Sequence, residues 1–176
     1  MQRFPGTLIA LHWLIAVAVI VAYVTSGNPA KSKDALDFLM GQTHVMAGLA
    51  VFALTLVRLP LRALLGTPPV LSGARWQRRA AGAAHLALYF LMIVVPLAGW
   101  AALADKTPSF VLAGGFSLPL PDAHATWVKL LGETHEVIGN VFIWVAGLHA
   151  VAALAHHYVL RDATLTRMLP LKALRG

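Results

Sequence analysis

Four stretches of this chain, at about 7–26, 41–60, 83–104 and 134–158, are each apolar over a length near or above the roughly 20 residues that cross a bilayer. Interior Lys and Arg are missing from the first, second and fourth until Arg58. The third contains Pro96, which a membrane helix tolerates and which is expected to kink it. Between the runs lie a polar stretch with Asn28-Pro29, a basic stretch with Pro68-Pro69, and a long connection from about 105 to 133. No soluble domain and no repeat separates from this pattern. The expectation is one all-α integral membrane unit over residues 1–176, an antiparallel four-helix transmembrane bundle with short connections.

Composition agrees with lipid as the solvent. Hydrophobic residues make up 59% of the chain and charged residues 12%, whereas a soluble domain carries about 25% charged residues. The net charge of +7 does not point to nucleic acid, which needs a basic stripe on a soluble fold. Here the basic residues cluster between the apolar runs. Arg3 ahead of the first run resembles a signal-peptide start, but the run is too long for an h-region and lacks an Ala-x-Ala site, so a retained first helix is expected.

Basic residues also orient the bundle. Arg3, Arg58, Arg62, Arg75, Arg78, Arg79, Arg161, Arg167, Lys172 and Arg175 belong to the N-terminus, second connection and C-terminal tail. Only Lys31, Lys33, Lys106 and Lys129 belong to the first and third connections. The excess places both termini in the cytoplasm.

The chain has no cysteine, which removes disulfides, thiolate-bound metal, iron–sulfur clusters and covalently attached haem. Eight histidines remain. One membrane histidine can simply bond a carbonyl of a neighbouring helix; several at matching depths are a functional signal. In the fourth run His135 and His149 are 14 residues apart, about 40° short of four full turns and roughly 21 Å along the axis. That separation suits two stacked cofactors, one near each membrane surface, and not one metal ion whose ligands converge at about 2 Å. A haem iron at each level needs a second imidazole. On the outer side His44 is the available intramembrane partner for His135, since His124 falls in a connection. On the inner side His149 pairs with His12 or His85, and depth leaves that choice open. Gly48 and Gly139, each four residues past His44 and His135, offer a helix surface without Cβ for a flat ring. Iron with both axial positions filled by histidine favours electron transfer over oxygen activation.

The chain resembles the bacterial cytochrome b561 family. The resemblance rests on His12-Trp13, His44, the stretch from His85 to Gly99 with Pro96, Thr134-His135-Glu136, and Gly147-Leu148-His149-Ala150 running into Ala155-His156-His157-Tyr158. It covers nearly the entire chain and is closest to the superoxide oxidase type. It implies two haems b between the helices in a bacterial inner membrane, with axial ligands His12–His149 and His44–His135. It also implies oxidation of superoxide at the periplasmic face and transfer of the electrons to ubiquinone. The alternative is a non-catalytic di-haem carrier subunit between the quinone pool and a periplasmic redox partner.

His156, seven residues past His149, and His85 are the candidate quinone or haem-propionate contacts, since histidine can supply the hydrogen bonds and protons a quinone needs. The outer connections carry Asp34, Asp37, Asp105, Asp122, Glu133 and Glu136 against the four lysines, so steering superoxide requires a local lysine patch. Trp100 and Trp127 are expected at the outer interface, and Leu118-Pro119-Leu120-Pro121 against the membrane or over the outer haem.

Overall fold

The computed structural model describes residues 3–26, 34–68 and 74–170. Asn28, Pro29, Lys31, Lys33, Pro69, Lys172 and Arg175 lie outside them. Four helices, α1 (Gly6–Val24), α2 (Ala35–Leu65), α3 (Arg75–Ala104) and α4 (Thr126–Tyr158), are long and apolar enough to cross a membrane. A two-stranded hairpin, β1 (Phe110–Val111) with β2 (Ser117–Leu118), interrupts the connection from α3 to α4.

Three of the helices start earlier than their apolar runs. Hydropathy marks only the part facing hydrocarbon, while hydrogen bonding carries a helix on into the polar interface. The Asp34 carboxylate accepts from the Asp37 N–H at 2.8 Å and caps α2 six residues before the apolar run begins. Gln77 accepts from the Ala74 N–H at 2.8 Å ahead of the arginine-rich first turns of α3. The early part of α4 carries Lys129 and Glu133 yet buries Val128 against Ala101 and Ala104 of α3. Gly132 lets the backbones meet there, since a Cβ would stand 2.9 Å from Ala102 Cα. At the other extreme, α1 stops at Val24, with the Thr25 N–H and hydroxyl both donating to the Val21 carbonyl.

Contacts between helix ends show the antiparallel order. His44 near the start of α2 bonds Ala22 near the end of α1. Arg62 at the end of α2 donates to the Tyr89 hydroxyl in the first half of α3, and His135 near the start of α4 bonds Val95 of α3. Arg3 donates to the carbonyls of Thr166 and Leu169, and Trp13 Nε1 donates to the Met168 carbonyl at 2.7 Å. The terminal end of the bundle thus carries the residues at both ends of the described chain. The loop end carries the hairpin.

All four helices contribute to the central core of Ile15, Val51, Leu91, Met92 and Phe142. Beside it Thr55, fully buried, directs its hydroxyl at the Met92 sulfur at 3.6 Å. Outside, Leu14, Val17, Ile20, Trp144 and Leu148 stand exposed, an apolar surface that water would penalise and lipid accepts. The loop end is closed by the hairpin region: Gln42 Nε2 donates to the Val111 carbonyl at 3.1 Å and Trp100 Nε1 to the Pro119 carbonyl at 2.8 Å. Leu120 of the apolar Leu-Pro segment packs on Ala101, Ala104 and Val128. Trp127 is exposed beside it, as a residue of an aromatic belt would be.

Candidate functional site

On α2 the positions 44, 48, 51, 55, 58 and 62 advance by three or four residues and form one stripe facing the bundle interior. His44 stands at its loop end and Arg58 and Arg62 at its terminal end. On α4 the corresponding pair is His135 and His149. Packing these stripes together creates two histidine groups, one toward each end.

At the loop end the ring centres of His44 and His135 are 5.9 Å apart with planes at 76°. Two imidazoles on opposite sides of one metal, each bonded at about 2 Å, hold their ring centres roughly 6 Å apart. Both rings are tethered. His44 Nδ1–H donates to the Ala22 carbonyl at 2.7 Å, and His135 Nδ1–H to the Val95 carbonyl at 3.1 Å. A carbonyl only accepts, so in the neutral ring the proton sits on Nδ1 and Nε2 keeps the lone pair, the form that ligates metal. Gly99 makes room for His135: a Cβ there would stand 2.9 Å from His135 Cε1.

Toward the terminal end three histidines gather rather than two. His149 lies 6.3 Å from His12 with planes at 79°, and 5.4 Å from His85 with planes at 75°. Both separations are near the span of two imidazoles on one metal, so distance alone does not select the partner. His85 Nδ1–H donates to the Ala81 carbonyl of its own helix at 2.6 Å. Trp13 meets the His12 ring edge-on at 5.6 Å. Arg58 and Arg62 bracket Tyr89 at 5.9 and 5.6 Å from its ring centre, within cation–π range.

The donor set fits haem and not a bare ion. Among the described residues no group of three or more His, Asp or Glu converges as a metal cage. Facing pairs of imidazoles are what an iron with four in-plane ligands of its own requires.

Other expectations resolve differently. His156 Nδ1–H donates to the Asp162 carboxylate at 2.6 Å, so only Nε2 remains for another partner. Burial opposes ionisation of Asp162, but hydrogen bonds from Thr164 and His156 outweigh it and hold the carboxyl below its usual range. His157 stacks edge-on with Tyr158 at 4.8 Å. His124 is exposed in a turn whose N–H donates to Asp122. A Cβ on Gly48 or Gly139 would meet nothing within 4 Å, so both present bare helix surface. Close approach occurs instead at Gly99 and Gly132. Tyr89 and the carbonyls of Ala22 and Val95 have no distinctive spacing from the histidines, and only packing brings them together; Asp162 is a local partner six residues past His156.

Residues 3–171 match the family profile of prokaryotic cytochrome b561. The chain belongs to the prokaryotic cytochrome b561 family. Cytochrome b561 homolog 1 of Escherichia coli K12 is 33% identical over 175 residues, covering 97% of this chain and 98% of that protein. The probable superoxide oxidase CybB of Yersinia pestis is 31% identical over 174 residues, with coverage of 97% and 98%. Cytochrome b562 of Cereibacter sphaeroides is 32% identical over 167 residues, covering 92% and 91%. The protein is therefore a four-helix membrane electron-transfer protein of a family that binds haem b.

Proposed function

We propose that this cytochrome b561 protein oxidises superoxide at the loop end, facing the periplasm, and delivers the electrons to ubiquinone near the terminal end, facing the cytoplasm. The observation that carries the proposal is the presence of a facing imidazole pair toward each end of one bundle. Nearly full-length similarity to the probable superoxide oxidase of Yersinia pestis supports the choice of donor. The basic residues at the terminal end support the orientation, with Arg58, Arg62, Arg75, Arg78 and Arg79 on that side of α2 and α3.

In this reading His44 with His135 and His12 with His149 would hold two haems b in a bacterial inner membrane. A haem b ligated by two imidazoles supplies a one-electron carrier without an open iron position. The chain's own part is to hold each Nε2 lone pair in place, through the Ala22 and Val95 carbonyls at the loop end. Lys106 and Lys129 are the described cations of the loop end available to draw in a small anion, beside the carboxylates of Asp105, Glu133 and Glu136. His85 and His156 are the hydrogen-bonding groups for a quinone at the terminal end. The stoichiometry balances when two superoxide anions become two dioxygen molecules and their electrons, with two protons, convert one quinone to quinol.

The test is visible absorption of the purified protein during controlled superoxide delivery with other reductants excluded. Rapid appearance of the reduced b-type band, discharged by added ubiquinone, is the expected result. A spectrum that stays oxidised under superoxide but reduces with quinol would refute the donor and favour a carrier docked to a periplasmic redox partner.

A further inference from the structure

Charge at the terminal end is unbalanced. The chain has seven carboxylate side chains, and Asp34, Asp37, Asp105, Asp122, Glu133 and Glu136 all belong to the loop end. The remaining one, Asp162, is engaged by His156 and Thr164. Arg58 and Arg62 are one turn apart on the interior stripe of α2 and close enough to act on each other as like charges. Among the described residues neither has a carboxylate within salt-bridge distance. Tyr89 serves both through its ring, and its hydroxyl accepts from Arg62 at 3.4 Å. The Arg58 Nε is buried and has no acceptor among the described residues. Two guanidinium groups inside a membrane bundle, one with an unmet buried donor, call for an anion that the side chains do not provide.

The register of the helices bears on the kind of anion. Arg58 lies seven residues, roughly 10 Å, before the end of α2. With Ala22 level with His44, the antiparallel register sets His12 level with about residue 54 of α2. Arg58 is then about one turn, roughly 6 Å, closer to the terminal face than His12. A carboxylate carried on the rim of a flat group held between His12 and His149 falls at that depth.

We propose that Arg58, supported by Arg62 and Tyr89, is the subsite that receives a propionate carboxylate of a haem held at His12 and His149. Planar guanidinium suits this task because it can offer a carboxylate two parallel N–H donors. The inference rests on the reading that His12 and His149 hold a haem.

The experiment is a potentiometric titration of the purified haem-loaded protein, followed by visible absorption, for wild type, Arg58→Gln, Arg58→Lys and Arg62→Gln. Redox-difference infrared spectra with carbon-13-labelled haem propionates accompany it. In Arg58→Gln both haems are expected to remain. One of them shifts about tenfold toward the oxidised form, which is about 59 mV for one electron, and one labelled propionate band moves. Arg58→Lys restores most of the shift and Arg62→Gln gives a smaller one. Should Arg58→Gln fail to assemble, the potential shift and the propionate-band shift in Arg62→Gln decide. Two haems with unchanged potentials and propionate bands overturn the inference while leaving the haem assignment intact. If the same variants instead lose bound phospholipid, the anion is a lipid phosphate and the inference is likewise overturned. A wild-type protein with one haem, lost on His44→Ala, overturns the underlying reading and the arginine subsite with it.

Discussion

The two histidine groups of this bundle are built by different means. His44 and His135 are each fastened through Nδ1 to a carbonyl of another helix, Ala22 of α1 and Val95 of α3, with Gly99 cleared to admit the ring. Backbone geometry defines that pair. His149 has two histidine neighbours at similar distances, and the same end of the bundle carries Arg58 and Arg62 against Tyr89. Charge distinguishes that end. Substitutions that alter shape should therefore act most strongly at the loop end, and substitutions that alter charge at the terminal end.

The largest effect is expected from Gly99→Val. Even a Cβ at this position would stand 2.9 Å from His135 Cε1, and the tether to Val95 limits how far the ring can retreat. Haem bound per chain, measured by the pyridine haemochrome assay, should fall by about half relative to a protein with two haems, the remaining haem keeping its spectrum. An unchanged haem content would mean that His135 is not a ligand or that its tether is dispensable.

A smaller but sharper contrast separates His12→Ala from His85→Ala. With His12 as the partner of His149, His12→Ala loses one haem, whereas His85→Ala keeps both and alters the rate of quinone reduction. The opposite pattern in haem content would give the inner ligation to His85 and leave His12 with the role proposed for His85.

The smallest effect concerns the chain after α4. The Asp162 carboxyl is held below its ordinary value, so its contribution is present above the pKa it has when unfolded and is lost as pH falls through its lower folded value. Below about pH 4, limited proteolysis should release residues beyond 162 faster than at neutral pH. In Asp162→Asn this acid-dependent increase should be much reduced. Equal acid sensitivity in both proteins would separate the Asp162–His156 contact from anchoring of the tail.

Much of this molecule was legible in the sequence because hydrocarbon is a demanding solvent. Four apolar runs permit only helices, and each run became a helix with its interior where hydropathy put it. The 14-residue interval between His135 and His149 set their common face and axial distance through helical geometry alone. Helix starts were less legible, since Asp34, Gln77 and Val128 act in the polar interface, where hydropathy has no contrast. The glycines divide in the same way. Gly48 and Gly139 present the bare helix surface their spacing suggested, whereas the close approaches at Gly99 and Gly132 depend on the neighbouring helix.

The sequence by itself determined the solvent, the number of spans, the levels of the histidines and the excess of positive charge at one end. These depend on composition and on periodicity within single helices. Only the tertiary structure decided which carbonyl fastens which imidazole, that His85 joins His12 beside His149, and that Arg58 and Arg62 share Tyr89 with no carboxylate within salt-bridge distance among the described residues. Those relations arise between helices, from their rotation and register in the bundle, and neither is encoded in the spacing of residues along one chain segment.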